Sequence, residues 1–240
     1  MEQIYMIPVT EAFEQALNEP QCGCPICRLY KKLQENELDI ILGASMMEPD
    51  IRIKTNELGF CLTHYNMMLG RRRMLGMGLM MESHLAEVEK MLDGPTFLFG
   101  NKTQAALNAL GELENSCYVC GRVDKNLSAM ISTTVYLWEC DHEGFRKKFE
   151  GQPWFCLPHY RAMLDYASKR MNRKIFPLFY DTAHGIQKKY IKTLSGDVSW
   201  FCKKFDYRYD QEPWYNSKDS VKRAIQFLGG FFGEEEQPKR

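Results

Sequence analysis

The chain has 240 residues, 45% of them hydrophobic and 26% charged. These are ordinary globular values that exclude disorder over most of the length and leave room for one large or two small cores. Lys plus Arg equals Asp plus Glu, 31 against 31, which removes the long-range basic field usual in a nucleic-acid binder.

Taken in chain order, the opening MEQIYMIPVTEAFEQAL carries Glu2 and no basic segment leading into a long apolar run, so no secretory signal is expected. Thr10 is placed to cap a short helix that stops before Pro20. A second helix is expected to start at Cys24-Pro25, where a proline at the first position loses no hydrogen bond. Ile26, Leu29, Tyr30, Leu33 and Ile40 follow near helical spacing, and Gly43 ends it. Residues 48–56 read as a short helix or turn closed by Gly59. One long helix is expected from about Thr63 to Leu92, stopped by Asp93-Gly94-Pro95, although Gly70, Gly76 and Gly78 weaken it. Its most apolar tract, residues 74–81, is far shorter than the roughly 20 residues a bilayer requires.

Further helices are expected from Cys117, from Leu157-Pro158, and over residues 172–194 with a kink at Pro177. Ser217 is placed to cap a last helix before Gly229-Gly230, and the tail EEEQPKR reads as disordered. Sustained alternation of the kind that marks strands is scarce. The expected class is all-α, in a soluble cytoplasmic protein with no membrane span. In that compartment nine cysteines read as metal ligands or reactive thiols before disulfides.

Self-similarity organises these elements. Cys24-Pro25-Ile26-Cys27 is followed by Gly59-Phe60-Cys61-Leu62-Thr63-His64-Tyr65, with 33 residues between Cys27 and Cys61, and Cys117-Tyr118-Val119-Cys120 by Trp154-Phe155-Cys156-Leu157-Pro158-His159-Tyr160, with 35 between Cys120 and Cys156. The first motifs are offset by 93 residues and the second by 95. Matching extends to Met68 with Met163 and Leu69 with Leu164. This predicts a first helical metal-binding unit over 1–100, a second over 101–196, and a C-terminal arm over 197–240 packing on both.

Cysteines at i and i+3 put two sulfurs on one side of a first helical turn, and a Cys and His at the same spacing do likewise. Two such starts that meet give a closed tetrahedral set. The expected ligands are Cys24, Cys27, Cys61 and His64 in the first repeat, and Cys117, Cys120, Cys156 and His159 in the second, holding two zinc ions. Helix N-termini also favour thiolate over thiol. Reduced core cysteines are the plain alternative, but they leave the matched recurrence unexplained. A thioredoxin-type centre would need a strand before Cys24, where EAFEQALNEP is helical and then broken. Iron–sulfur ligation suits the same residues, yet paired spacing favours zinc. A c-type haem is excluded because no cysteine pair is followed directly by histidine.

Cys22, Cys140 and Cys202 read as spare thiols, with Cys22 an alternative to Cys24. His84, His142 and His184 stand outside any ligand set. Arg71, Arg72 and Arg73, with Lys169, Arg170, Arg173 and Lys174, suit phosphate only if the fold gathers them, and solvated helix faces explain them as well. The aromatic run from Trp200 to Tyr215 suits packing of the C-terminal arm better than base stacking. The polar stretch before Cys61 has no counterpart before Cys156, which makes Glu48, Asp50, Arg52, Asn56 and Glu57 candidates for a pocket.

At CPIC, GFCLTHYNMML, WFCLPHYRAML and the closing FCKKFDYRYDQEPWYNSKDSVKRAIQFLGG, the chain resembles a family of bacterial proteins defined only as a domain of unknown function. The resemblance spans nearly the whole chain. It implies a cytosolic bacterial protein, is consistent with the ligand assignment, and carries no activity over. The resulting expectation is a non-enzymatic zinc-binding scaffold or binding module whose partner is another protein rather than nucleic acid. A thiol-based redox or metal-responsive switch is the alternative.

Overall fold

The computed structural model describes residues 3–19, 23–93 and 102–230; among them are eleven α-helices, four short 3-10 turns and no strand. The protein is all-α. The first helix, α1 (Met6–Asn18), buries Val9, Ala12, Phe13 and Ala16 at helical spacing. It begins ahead of Thr10, with Pro8 tolerated in its first turn. Next come α2 (Pro25–Ile41), opening on proline as the sequence predicts, and α3 (Pro49–Leu58), the helix of the two readings left open for residues 48–56. Gly59 ends α3 at φ 54°, in the left-handed region that suits glycine.

The long helix expected from residue 63 is two helices, α4 (Leu62–Gly70) and α5 (Met74–Asp93). Between them Arg72 takes φ 56°, and Arg71 turns back to the Asp39 carboxylate at 2.8 Å. The side chain thus gains an ion pair at the point where the backbone leaves the helix. The chain goes on through α6 (Lys102–Glu114), α7 (Tyr118–Glu139), α8 (Phe145–Glu150), α9 (Leu157–Arg170), α10 (Phe176–Lys203) and α11 (Ser220–Gly229). Neither α6 nor α8 is among the sequence-predicted elements. Pro177 does not kink α10 but sits in its first turn, where its missing N–H costs nothing. Ser217 lies three residues before α11, and its hydroxyl donates to the Trp214 carbonyl at 2.7 Å instead of capping. The C-terminal tail and Cys22 lie outside the described residues.

Two compact units emerge, and they do not follow the repeat boundaries expected at 1–100, 101–196 and 197–240. The first joins residues 1–31 to 127–240, and the second is 32–126. Both boundaries fall inside helices, within α2 and within α7, so each of these helices contributes to both units. The C-terminal segment, including α11, clusters with the first unit, where α11 packs on α9 and α10.

The first unit's core is aromatic. Phe149 is fully buried, with ring centroids 4.9 Å from Phe155, 5.4 Å from Phe179 and 5.9 Å from Phe13. Trp138 completes it, edge-on to Phe179 at 5.0 Å with the Arg146 guanidinium over its face. After α10 the aromatic residues pack on one another, Trp200 on Tyr209 and Tyr215, and Phe201 on Trp214. The buried Lys204 ammonium holds this loop by donating to the carbonyls of Tyr209, Asp210 and Glu212. In the second unit, α3 and α6 pack on α5, and Leu38, Ile41, Met68, Met80, Val119 and Val123 are buried. No described helix is long and apolar enough to cross a membrane.

Truncating the ring at the centre of the first core deletes contacts on several sides at once. Phe149→Ala is expected to cost about 3–5 kcal/mol, measured as a loss of unfolding free energy in urea.

Candidate metal centres

The eight sequence-predicted donors gather into two sets of four, but in a different pairing from the expected one. Cys24 and Cys27 meet Cys156 and His159 in the first unit, and Cys61 and His64 meet Cys117 and Cys120 in the second. Each repeat's Cys-x2-Cys therefore joins the other repeat's Cys-x2-His. The donor atoms of each set lie within 4.8 Å of one another.

Local sequence explains the presentation. Cys61 and Cys156 occupy the residue before α4 and α9, with extended backbone (φ −71°, ψ 160° and φ −64°, ψ 151°). Their side chains thereby point across the helix start, and the histidines three residues on project from the first turn of the same helices. In both sets it is the histidine Nδ1 that faces the sulfurs. His159 Nδ1 lies 3.1 Å from Cys156 Sγ, 3.4 Å from Cys27 Sγ and 3.8 Å from Cys24 Sγ, with Cys27 and Cys156 sulfurs 3.5 Å apart. His64 Nδ1 lies 3.2, 3.3 and 3.5 Å from the sulfurs of Cys61, Cys117 and Cys120, with Cys61 and Cys120 3.9 Å apart. A tetrahedron with sulfur at about 2.3 Å and nitrogen at about 2.0–2.1 Å from its centre has edges of about 3.8 Å between sulfurs and about 3.6 Å between sulfur and nitrogen. The residues fit a four-coordinate metal ion, and either cluster could hold one.

Side chains and backbone hold the donors in place. In the second unit the Tyr118 N–H donates to the Gly59 carbonyl at 3.0 Å, and the Ser116 hydroxyl donates to Leu58 O at 2.7 Å. These bonds tie the two donor-bearing stretches together. Gly59 is required there, since a Cβ would lie 3.1 Å from both the His84 ring and Leu113. In the first unit the buried Gln187 amide clamps Phe155 both ways, accepting from its N–H at 3.0 Å and donating to its carbonyl at 2.7 Å. Behind His64, the Gln34 side-chain nitrogen lies 3.0 Å from Nε2. A metal bound at Nδ1 would leave the proton on Nε2, and the Gln34 amide would then turn over to accept it through its oxygen. Gln187, Gln34, Ser116 and Tyr118 are absent from the sequence-predicted site, because a lone Gln or Ser carries no spacing signal.

Packed this tightly, the sulfurs shape one another's ionisation. Burial pushes the Cys24 thiol up, but bonds from Cys156, Cys27 and His159 outweigh it and hold Cys24 well below the usual thiol value. Cys27 is raised, by its bonds to Cys156 and Cys24 and by burial, and Cys156 is pushed up to about 12, chiefly by Cys24. In the second set burial raises Cys61, yet the His64 backbone N–H and the Cys117 and Cys120 thiols leave it lowered, while burial and the Cys117 charge raise Cys120. One favoured thiolate beside thiols that resist ionising is what close sulfurs give alone. A divalent cation is the partner that makes three thiolates compatible.

The remaining candidates scatter. Residues 48, 52 and 56 share one side of α3 while 50 and 57 lie on another. Glu48, Asp50 and Glu57 are exposed, and Arg52 and Asn56 half-buried. Asn56 docks α3 on α5, accepting from Ser83 Oγ through its side chain and from His84 Nδ1 through its carbonyl, each at 2.9 Å. Cys140 and Cys202 are exposed free thiols. His184 stacks on Tyr180 at 5.4 Å.

Residues 1–235 match the model of a family of unknown function (DUF6062), and the chain belongs to that family. No curated protein and no solved structure matches it.

The crosswise pairing is testable by counting metal in double variants. Cys24→Ala with His159→Ala removes two donors from one set and should leave about one metal per chain. Cys24→Ala with His64→Ala strikes both sets and should leave close to none, by mass spectrometry of the native protein. The reverse pattern would restore pairing within repeats. Separately, Gln187→Leu strands a buried peptide N–H and carbonyl and should cost about 2–5 kcal/mol of stability in chemical denaturation.

Proposed function

Because membership in a family of unknown function supplies no activity, we propose a role from the donor sets themselves: the protein holds two structural zinc ions and acts as a non-enzymatic binding module, a rigid helical platform for another protein. The carrying observation is that three sulfurs and one imidazole nitrogen, twice over, lie within 4.8 Å of one another. Four protein donors complete a tetrahedron and leave no position for water or substrate, which distinguishes a structural site from a catalytic one. Paired Cys-x2-Cys and Cys-x2-His spacing with borderline-soft donors favours zinc over other divalent ions. Cys24, Cys27, Cys156 and His159 hold one ion; Cys61, His64, Cys117 and Cys120 hold the other. Each ion supplies the positive charge that lets its three thiolates coexist, at about 10–16 kcal/mol of apparent binding free energy in zinc-finger peptides. The platform reading draws on α5, which turns Met74, Leu75 and Leu85 outward, 61%, 77% and 64% exposed.

Metal analysis of the purified chain should give about two zinc per molecule. Complete chelation should lower the melting temperature and reduce helical circular dichroism; an unchanged melt after both ions are gone would remove the structural role. Burial holds His64 below its ordinary value of 6.5, so its contribution is present above that pH and fades as acid charges the ring. Thiolate protonation acts in the same direction, and metal retention should fall steadily on acidification below about pH 6.5. Cross-linking in cell extract tests the platform: the wild-type chain should give a discrete adduct with another protein that a Leu75→Glu, Leu85→Glu variant lacks.

A further inference from the structure

The two donor sets share their composition but not their surroundings. In the first unit Cys24, Cys27 and Cys156 are 1%, 4% and 0% exposed. The end of α11 closes over them. Gly230, which ends α11 at φ +85°, passes so near that a Cβ there would stand 3.6 Å from Cys156 Sγ and 3.9 Å from Cys27 Sγ. Next to Cys24, the Trp154 indole reaches within 3.0 Å of where a Gly23 Cβ would sit, and is itself held by stacking on Tyr190 at 5.1 Å and by the edge of Phe227 at 6.0 Å. In the second unit Cys61, Cys117 and Cys120 are each half-buried. The residue that matches Trp154 in the repeat is Gly59, so no indole stands there. The residue after Cys61, Leu62, is 75% exposed, against 38% for its counterpart Leu157.

Resting on the structural-zinc reading above, we infer that the two centres differ in kinetic access: the Cys61–His64–Cys117–Cys120 centre exchanges its metal with small chelating ligands in solution, while the Cys24–Cys27–Cys156–His159 centre is closed by α11. Exchange at a filled tetrahedron proceeds by attack of an incoming donor on the metal along an open edge. Each metal–sulfur bond that breaks is replaced by one to the incoming ligand, the freed thiolate takes a proton from water, and no electron changes hands. Half-exposed sulfurs leave such an edge; in the first unit the sulfurs are buried and the Gly230 backbone stands beside two of them. The second unit is thereby the part of the chain whose occupancy follows the metal available around it, and the first unit keeps its ion throughout.

The test uses the full chain loaded with two zinc ions, counted by native mass spectrometry, and an excess of a chromogenic chelator such as 4-(2-pyridylazo)resorcinol. Release should occur in two phases of one equivalent each, at least 10-fold apart in rate. Gly230→Ala, which puts a side chain at a left-handed position beside the sulfurs, should speed the slow phase severalfold and leave the fast phase within twofold. Alkylation of the wild-type holoprotein with N-ethylmaleimide assigns the phases without a variant: after the exposed Cys140 and Cys202, the next cysteines labelled should be Cys61, Cys117 and Cys120, with Cys24, Cys27 and Cys156 last. A single release phase, a slow phase untouched by Gly230→Ala, or labelling in the opposite order would overturn the inference while leaving two bound zinc ions in place. A chain that carries no metal when counted at the outset would remove the zinc reading and this inference together.

Discussion

The constraint that sets this chain apart from generic helix packing is three cysteine sulfurs and an imidazole nitrogen brought within 4.8 Å of one another, twice. Thiolates at that spacing repel, and burial raises the cost of ionising each one. Three thiolates together would need a cation at the centre, and either cluster could hold one. Loop closure does not decide which repeat's motifs meet. Joining crosswise closes longer loops than joining within a repeat, yet closure cost grows only as the logarithm of length. The extra penalty over both sites is about 1–2 kcal/mol, small beside the roughly 10–16 kcal/mol that a structural zinc contributes in zinc-finger peptides.

Each unit takes its Cys-x2-Cys from one repeat and its Cys-x2-His from the other: Cys24 and Cys27 with Cys156 and His159, and Cys61 and His64 with Cys117 and Cys120. The unit boundaries fall inside α2 and α7, the helices that begin at the two Cys-x2-Cys pairs. That is why a boundary drawn between repeats cuts each unit.

The sequence analysis identifies the helical class, the eight residues of the two clusters and the proline-led starts of α2 and α9, because each rests on a local rule: i, i+3 spacing, a free first N–H, a glycine stop. It does not identify the partner of each motif, since spacing along the chain says nothing about which ends converge. The break between α4 and α5 is likewise hidden. Gly70 hints at it, but the gain that stabilises Arg72 in the left-handed region lies in an ion pair from Arg71 to Asp39, 32 residues away. Gln187 is the clearest case. In the sequence it is one polar residue on an amphipathic helix, and its role exists only because Phe155 arrives with an N–H and a carbonyl that need partners in a dry core.

The repeat explains why the first unit needs that glutamine and the second does not. At the first position inside the Cys-x2-Cys pair the second unit has Tyr118, whose N–H bonds to the carbonyl of Gly59 and draws the two donor loops together. The matching residue of the first unit is Pro25, which has no N–H to give. The same substitution that starts α2 well thus forfeits the backbone bond that aligns the donors. The residue matching Gly59 is Trp154, whose bulk would not fit the close approach to His84 and Leu113 that Gly59 makes in the second unit. Freed from that contact, the first unit aligns its donors through a side chain on α10, with the end of α11 beside their sulfurs. Two sequence differences beside the donors therefore go with different supports, and with different exposure, for two sets of identical donors.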